Sequence, residues 1–256
     1  MTSRREHLRA EGDALPAMAA GASRNRLLCA LPVDEYARLI PALQPVTLET
    51  MQLLAEAGAP LRQVYFPETG VISIMRRMRD GTLVEAGLLG CEGVAGVEAL
   101  LDDAWSPSAL VASVPGEGWS LPLETLRRLL PTLPALRVLL HRVTLSLLDQ
   151  VGQVVACNSL HSVEQRCARW LLMACDRAGG DEILLTHEVL ARMLAVRRAG
   201  VTEAALTLQR ARVITYRRGR IVVQDRPGLE AAACECYGVV RRHAERLLGH
   251  PGGETS

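Results

Sequence analysis

Arginine is concentrated near one end of this chain in a way that is typical of a surface that binds a polyanion. Residues 186–226 contain nine arginines and three acidic residues, so the stretch carries a net charge of +6. The whole chain has 29 basic and 28 acidic residues, so this charge is local. No lysine occurs, and the positions of the arginines are therefore more informative than their identity. The regularly spaced phosphates of a nucleic acid are the partner that such a cluster fits.

Two short helices joined by a tight turn are predicted inside this arginine-rich stretch. Thr186 is placed as the N-cap of the first helix, and residues 195–198 form the turn. The apolar positions that define the helices are Val189, Leu190, Met193 and Leu194, then Val201, Ala204, Ala205 and Leu208. This is a helix-turn-helix pattern, whose second helix enters the major groove of duplex DNA. The outward positions of that helix are Arg198, Ala199, Thr202, Glu203 and Leu206.

A strand, a basic turn and a second strand follow directly. Residues 213–216 and 221–223 are predicted as the strands, and the Arg-Arg-Gly-Arg run at 217–220 as the turn. This arrangement predicts a wing whose arginines lie at the level of the phosphates. The alternative is a winged helix that binds only another protein. The predicted DNA contacts are Thr186, His187, Arg197, Arg198, Ala199, Thr202, Glu203, Arg217, Arg218 and Arg220.

A β domain and a long helix must position this winged helix. Apolar runs at 63–66, 71–74, 83–86, 109–114 and 118–121 predict strands, and the Asp80-Gly81 pair predicts a hairpin. The predicted fold class is α+β, with an N-terminal antiparallel β-roll, a long dimerisation helix and a C-terminal winged helix-turn-helix domain. The predicted divisions are a mobile tail (1–23), a β-roll sensor domain (24–133), a dimerisation helix (134–160) and a winged helix-turn-helix domain (161–256).

The long helix carries a seam whose positions are spaced alternately by four and three residues. Its members are Leu136, Leu140, Val143, Leu147, Gln150 and Val154. This a/d spacing predicts a parallel contact between two copies of the chain. A helix that packs only on its own β domain has the same pattern, and spacing alone favours neither interpretation.

The order of these elements resembles the Crp/Fnr family of bacterial regulators over residues 25 to about 240. The similar stretches are Val64-Tyr65-Phe66-Pro67-Glu68 with Gly70-Val71-Ile72-Ser73, Glu92-Gly93-Val94-Ala95-Gly96, and Leu185-Thr186-His187-Glu188 with Leu190-Ala191 through Val201-Thr202. The resemblance implies a cytoplasmic homodimer whose β-roll senses a signal and whose paired recognition helices bind double-stranded DNA. It also implies RNA polymerase as a further partner.

The sequence departs from the family pattern in two places. Members that bind cyclic nucleotides follow a Gly-Glu phosphate loop with an arginine about ten to fifteen residues later, because the cyclic phosphate needs a charged partner. Here Asp102-Asp103-Ala104 and the residues after it contain no arginine before Arg127, so cyclic AMP is not expected as the effector. Ala199 and Glu203 stand where many members read bases with glutamate and arginine, so a different operator is expected. The predicted, degenerate effector pocket comprises Gly90, Glu92, Gly93, Ser106 and Ser108.

The seven cysteines are odd in number, and several lie in apolar helical patterns, so reduced, structural thiols are favoured over a disulfide framework. A redox- or metal-responsive regulator that uses Cys157, Cys234 and Cys236 stays open as the alternative. His161 could join them, although Cys-x-Cys on a regular helix would point its thiols apart. No metal or cofactor is otherwise predicted. Neither a nucleotide loop, a catalytic motif nor an apolar run of membrane-spanning length occurs, so neither an enzyme nor a membrane protein is expected.

Overall fold

The structure is a computed structural model that describes residues 23–101 and 105–248, without the side chains of residues 99 and 100. The predicted tail at 1–23 therefore lies outside the described residues except for its last position. Two short helices, α1 (Arg26–Cys29) and α2 (Val33–Leu39), begin the described chain, and a 3₁₀ turn follows at Ile40–Ala42. Leu28 and Leu39 of these helices are buried in the same core as Phe66 of the β domain.

Nine strands form the predicted antiparallel β domain. Their bounds are β1 (Gln44–Leu48), β2 (Gln52–Ala55), β3 (Ala59–Pro60), β4 (Gln63–Pro67), β5 (Val71–Arg77), β6 (Leu83–Leu89), β7 (Trp105–Ser106), β8 (Ala109–Val114) and β9 (Gly116–Pro122). They form three antiparallel sheets with strand orders β1-β9-β4, β2-β8-β5-β6 and β3-β7. A 3₁₀ turn at Val97–Leu100 connects β6 with β7. The sequence does not predict β1, β2, β3 and β7, which are two to five residues long and include two prolines.

The hairpin predicted at Asp80-Gly81 is confirmed. Strands β5 and β6 pair in antiparallel register from Ile72 opposite Leu89 to Arg77 opposite Leu83. Gly81 has φ +84°, a left-handed conformation that glycine adopts without steric cost. The backbone N–H of Thr82 donates to the Asp80 carboxylate at 2.9 Å, which closes the turn.

The predicted long helix is also confirmed. After α3 (Leu123–Leu129) and a 3₁₀ turn at Leu130–Thr132, helix α4 covers Pro134–Leu160. The carboxylate of Glu35 accepts hydrogen bonds from the backbone N–H groups of Ala135 and Leu136, at 2.8 and 2.9 Å. A carboxylate at this end satisfies free N–H groups and complements the helix dipole.

The face of α4 that the seam predicts as a dimer interface lies against the β-roll of its own chain. Leu136, Leu140, Val143 and Gln150 are all 3% exposed or less, and Leu147 and Val154 are half-buried. The Gln150 amide explains its own burial, because it accepts from the N–H of Leu88 at 2.7 Å and donates to the Leu88 carbonyl at 3.1 Å, both on β6. The interface prediction is therefore corrected for the four buried residues, which leave no surface for a partner.

Helix α5 (Val163–Ala178) follows and is buried along most of its length. The C-terminal part comprises β10 (Glu182–Leu184), α6 (His187–Leu194), α7 (Arg198–Arg210), β11 (Ile214–Arg217), β12 (Arg220–Val223), α8 (Arg226–Ala232) and α9 (Cys236–Leu248). Helix α9 runs back along α4, where His243 contacts Asp149. No helix in the described ranges has the length and apolar character needed to cross a bilayer.

The winged helix and the β-roll share one hydrophobic core through α5. Val71 and Met75 of β5 pack in the same cluster as Trp170 of α5 and Met193 of α6. At this contact the carboxyl of Glu85 accepts from the Trp170 indole at 2.9 Å and from the Ser73 hydroxyl at 2.5 Å. Burial raises the pKa of Glu85 to about 7 because the charged form is poorly solvated there. A change in the β-roll can therefore reach the winged helix through α5.

Candidate nucleic-acid interface

The predicted helix-turn-helix is present as α6 and α7. The hydroxyl of Thr186 accepts from the backbone N–H of Val189 at 3.3 Å, as expected of an N-cap. Ala195 ends α6 in a left-handed conformation with φ +51°, and this residue turns the chain toward α7. Thr186 is thus occupied in capping, although its position beside the wing keeps it near the predicted DNA surface.

The outer face of α7 is open to solvent. Arg198, Ala199 and Glu203 are exposed, whereas Val201, Ala204, Ala205 and Leu208 are buried under the helix. The exposed side chains line an open groove together with Thr202, Leu206, Thr207 and Arg210. Arg197 is the N-cap residue of the same helix. The face that the periodicity predicts is therefore the one left free, since the opposite face packs on α5 and α6.

His187 lies between the recognition helix and the wing. Its ring stacks on Tyr216 with a centroid distance of 3.9 Å, and its Nδ1 is 3.1 Å from the Thr202 hydroxyl. Burial, together with the nearby charge of Arg198, lowers the pKa of His187, so the ring is neutral at pH 7. A neutral ring in these contacts is suited to positioning α7 against the wing. It is poorly suited to pairing with a phosphate.

The wing is a two-residue hairpin, one position narrower on each side than the predicted turn. Strands β11 and β12 pair up to Arg217 opposite Arg220, and β10 pairs with the other edge of β12. Arg218 and Gly219 both have positive φ, +51° and +77°, as in a type I′ turn. Arg220 forms an ion pair with Glu182, whereas Arg217 and Arg218 make no ion pair within the described residues. Two of the three predicted wing arginines are therefore free to meet phosphates.

The structure separates the residues of the predicted effector pocket into two groups. Glu92 is buried and accepts from the Arg177 guanidinium of α5 at 2.7 Å. Gly90 touches the same arginine, because an added Cβ would lie 2.4 Å from the Arg177 Cβ. Gly93 faces Val143 of α4 in the same way, at 3.3 Å. This turn is covered by helices of its own chain, so the prediction that these three residues hold an effector is corrected.

Ser106 and Ser108 instead surround Glu98, a residue that the sequence pattern does not single out. The Ser106 hydroxyl donates to Glu98 Oε1 at 2.9 Å, and Arg76 of β5 donates to the Ser108 hydroxyl at 3.3 Å. Glu98 Oε2 is buried without a hydrogen-bond partner in the described chain. Gly96-Val97-Glu98 repeats the Gly-x-Glu pattern of residues 90–92, and this repeat is the signal that could have found it. Residues 102–104 lie outside the described residues.

Two family models match the two halves of this architecture. The model described as the cyclic nucleotide-binding domain matches residues 45–132, and the Crp-like helix-turn-helix domain matches residues 165–232. The chain belongs to the Crp/Fnr family of transcription regulators.

Known relatives agree with this Crp/Fnr assignment. The chain is 26% identical over 193 residues to a global nitrogen regulator from Nostoc, covering 71% of this chain and 86% of that protein. It is 24% identical over 202 residues to the global nitrogen regulator of Synechocystis, covering 74% and 90%. The fold is similar to FixK2 from Bradyrhizobium japonicum, with a TM-score of 0.62 at 16% identity, covering 75% of this chain and 98% of that one. It is also similar to CLP, the c-di-GMP responsive global regulator of Xanthomonas campestris, with a TM-score of 0.57 at 17% identity and coverages of 75% and 99%.

A second apolar face of α4 is exposed in this Crp/Fnr regulator. Val138, Leu145, Leu148 and Val155 are 47%, 51%, 68% and 63% exposed. Val138 and Leu145 are seven residues apart, as are Leu148 and Val155. Gly152 lies on the same face, and nothing lies within 4 Å of an added Cβ there. This exposed seam, defined as Val138, Leu145, Leu148, Gly152 and Val155, has a/d spacing and is open in the single chain.

The three cysteines of the alternative interpretation are brought together by the structure. Cys157, Cys234 and Cys236 form a buried cluster of their own, and His161 is beside them. Cys234 lies in the irregular connection between α8 and α9, so the Cys-x-Cys pair is not on a regular helix. The obstacle that regular helix geometry presented is thereby absent.

Proposed function

We propose that this Crp/Fnr regulator binds a two-fold operator as a homodimer, with one recognition helix of each chain in a major groove. The observation that carries the proposal is the free outer face of α7, flanked by Arg217 and Arg218 of the wing. Base edges are read by the first turns of a recognition helix, and wing arginines contact the backbone. Arg198, Ala199, Thr202 and Glu203 are the proposed base-facing residues. Such a regulator works in the bacterial cytoplasm, and RNA polymerase is its proposed further partner.

The exposed seam of α4 is the proposed dimer contact. Apolar side chains of this size that are half to two-thirds exposed gain stability when a second helix covers them. Gly152 lets two helix backbones approach closely. Leu147 and Val154, which are half-buried, remain at the edge of this contact.

The proposed signal site of the β-roll is the group of Glu98, Ser106, Ser108 and Arg76. An unpartnered buried carboxylate oxygen favours an effector that donates a hydrogen bond. Arg76 is on β5, the strand that also carries Ser73, and Ser73 binds Glu85 at the contact with α5. This chain of contacts gives an effector a route to the winged helix.

Selection of binding sites from a random duplex library tests the proposed function. We expect enrichment of an inverted repeat whose half-sites are about one helical turn apart, because each copy places one α7 in the groove. The full-length chain should bind the selected site at least about 10³-fold more tightly than random duplex at physiological salt. A profile without an enriched motif, or with a single unpaired half-site, would contradict the proposal.

Cyclic nucleotides are not expected to bind with useful affinity. Glu92 is held by Arg177, and the arginine at the serine pair, Arg76, is exposed, so no buried cation awaits a cyclic phosphate among the described residues of this site. Calorimetry with cyclic AMP and cyclic GMP should show no saturable binding below about 100 μM, a free energy of about −5.5 kcal/mol. A micromolar isotherm that Arg76→Ala abolishes would instead establish a phosphate site at Arg76.

A further inference from the structure

Four metal-binding side chains converge where the end of α4 meets the start of α9. Cys157 and His161 come from the last turn of α4 and its C-cap, and Cys234 and Cys236 come from the α8–α9 connection and the first residue of α9. The Sγ atoms of Cys157 and Cys234 are 3.4 Å apart, and Cys236 Sγ is 3.5 Å from His161 Nδ1. One potential ligand atom from each of the four residues lies within 4.8 Å of all the others.

These separations fit one tetrahedral ion. Zn–S bonds of about 2.3 Å and Zn–N bonds of about 2.0 Å place neighbouring ligand atoms about 3.5–3.8 Å apart. A disulfide between Cys157 and Cys234 would satisfy only one pair and needs an S–S distance of about 2.05 Å. The donor set of three thiols and one imidazole is one of the sets that structural zinc sites use.

The surroundings of the cluster match those of a metal site. His161 Nε2 is 3.2 Å from Glu235 Oε2, so a carboxylate orients the ring while Nδ1 faces the thiols. Burial is almost complete, since Cys157, Cys234 and Cys236 are 0%, 4% and 1% exposed. The three cysteines also form a cluster separate from the two aliphatic cores, so they do not serve as ordinary apolar filling of either core.

Positive charge lies beside the thiols. Arg166 and Arg169 of α5 are 8% and 3% exposed, and neither forms an ion pair with a carboxylate in the described chain. Three thiolates and one Zn²⁺ carry a net charge of −1, which such buried guanidinium groups would balance. The hydrogen bond from Cys234, together with the charge of Arg169, holds the pKa of the Cys157 thiol well below its usual range.

We propose that Cys157, His161, Cys234 and Cys236 bind one Zn²⁺ ion that fastens the C-terminal helix α9 to the end of the long helix α4. The fastening has a reason in the fold, because α9 otherwise holds to α4 by side-chain packing and the His243–Asp149 contact. The site joins the segment after the wing to the dimerisation helix. The proposal does not depend on operator binding, and its test needs no DNA.

Metal titration of the full chain tests the site. Chain purified under reducing conditions and freed of metal should take up one equivalent of Co²⁺, with the visible d–d absorption of tetrahedral thiolate coordination. Zn²⁺ should displace the Co²⁺ with a dissociation constant below about 100 nM, the weak end for structural zinc. Zn²⁺ should also raise the thermal midpoint of the chain, since metal bound to the native state stabilises it.

Matched substitutions locate the ion. Cys157→Ser should remove the Co²⁺ spectrum, whereas Cys175→Ser, the same change at a buried cysteine outside the cluster, should leave it unchanged. Glu235→Gln alters an exposed side chain, folds normally on this view, and should weaken Zn²⁺ binding about 10-fold by releasing His161. The proposal is overturned if the reduced chain takes up no stoichiometric metal, if Cys157→Ser retains the spectrum, or if Glu235→Gln binds Zn²⁺ as tightly as the unchanged chain.

Discussion

Leu148→Asp is expected to convert the regulator into a monomer that no longer binds its operator. Leu148 is 68% exposed in the single chain and central in the exposed seam, so a two-fold dimer buries it against the partner copy. Removal of two buried leucine side chains from the dimer costs roughly 3–6 kcal/mol, and the two introduced charges add repulsion. Dimer affinity should fall by about 10²-fold or more. Light scattering at micromolar concentration should change from twice the 27.8 kDa chain mass to the chain mass.

The control variants separate this face of α4 from the buried one. Asn158→Asp adds the same charge to an exposed position beside the seam and should leave the dimer intact. Leu147→Asp should instead lower the thermal midpoint, because Leu147 packs on the β-roll near Gly87. If Leu148→Asp stays dimeric while a folded Leu147→Asp is monomeric, the interface lies on the face that carries Leu147.

The seam at 136–154 identifies the wrong face because α4 is apolar on two sides. Pro134 and the apolar content of the following residues determine where the helix begins and how far it extends, and the observed bounds agree with the prediction. Spacing does not distinguish two seams that both follow the a/d pattern. Gln150 carried the missing information, since a buried glutamine needs hydrogen-bond partners that another helix core does not supply, whereas the exposed backbone of β6 does.

Local patterns predict the winged helix well because its parts are close in sequence. The N-cap at Thr186, the buried stripe of α7 and the wing lie within 41 residues. The errors concern pairs far apart in the chain. Arg177 reaches Glu92 across 85 positions, and Cys157 meets Cys234 across 77. No periodicity reports such pairs, and only the packing of α5 and α9 on the preceding parts of the chain creates them.

Double replacement of Arg217 and Arg218 by alanine should weaken binding to all duplexes alike. Both side chains are free of ion pairs in the described chain, whereas Arg220 is paired with Glu182 and is left unchanged. For every phosphate that each copy no longer neutralises, the slope of log affinity against log salt should fall by about one unit. This variant is the reference for weaker grip at unchanged specificity, measured by anisotropy on selected and random duplexes.

Substitutions on α7 should behave in the opposite way. Arg198→Ala is expected to cost about 1–3 kcal/mol per half-site on the selected operator and little on random DNA, because a base-specific hydrogen bond exists only where the right base is present. Arg198 is in the first turn of α7 and exposed, as such a hydrogen bond requires.

Glu203→Ala gives the sharper result of the two. The Glu203 side chain is exposed on the recognition face and forms no ion pair within the described residues, so near DNA it repels phosphate. Its presence is favourable only if it accepts from a cytosine amino group or orients Arg198. Its removal should therefore broaden the selected-site profile while non-specific affinity holds or rises. An unchanged profile would mean that Glu203 is a solvated helix residue and that the base-reading face is rotated by about one position along α7.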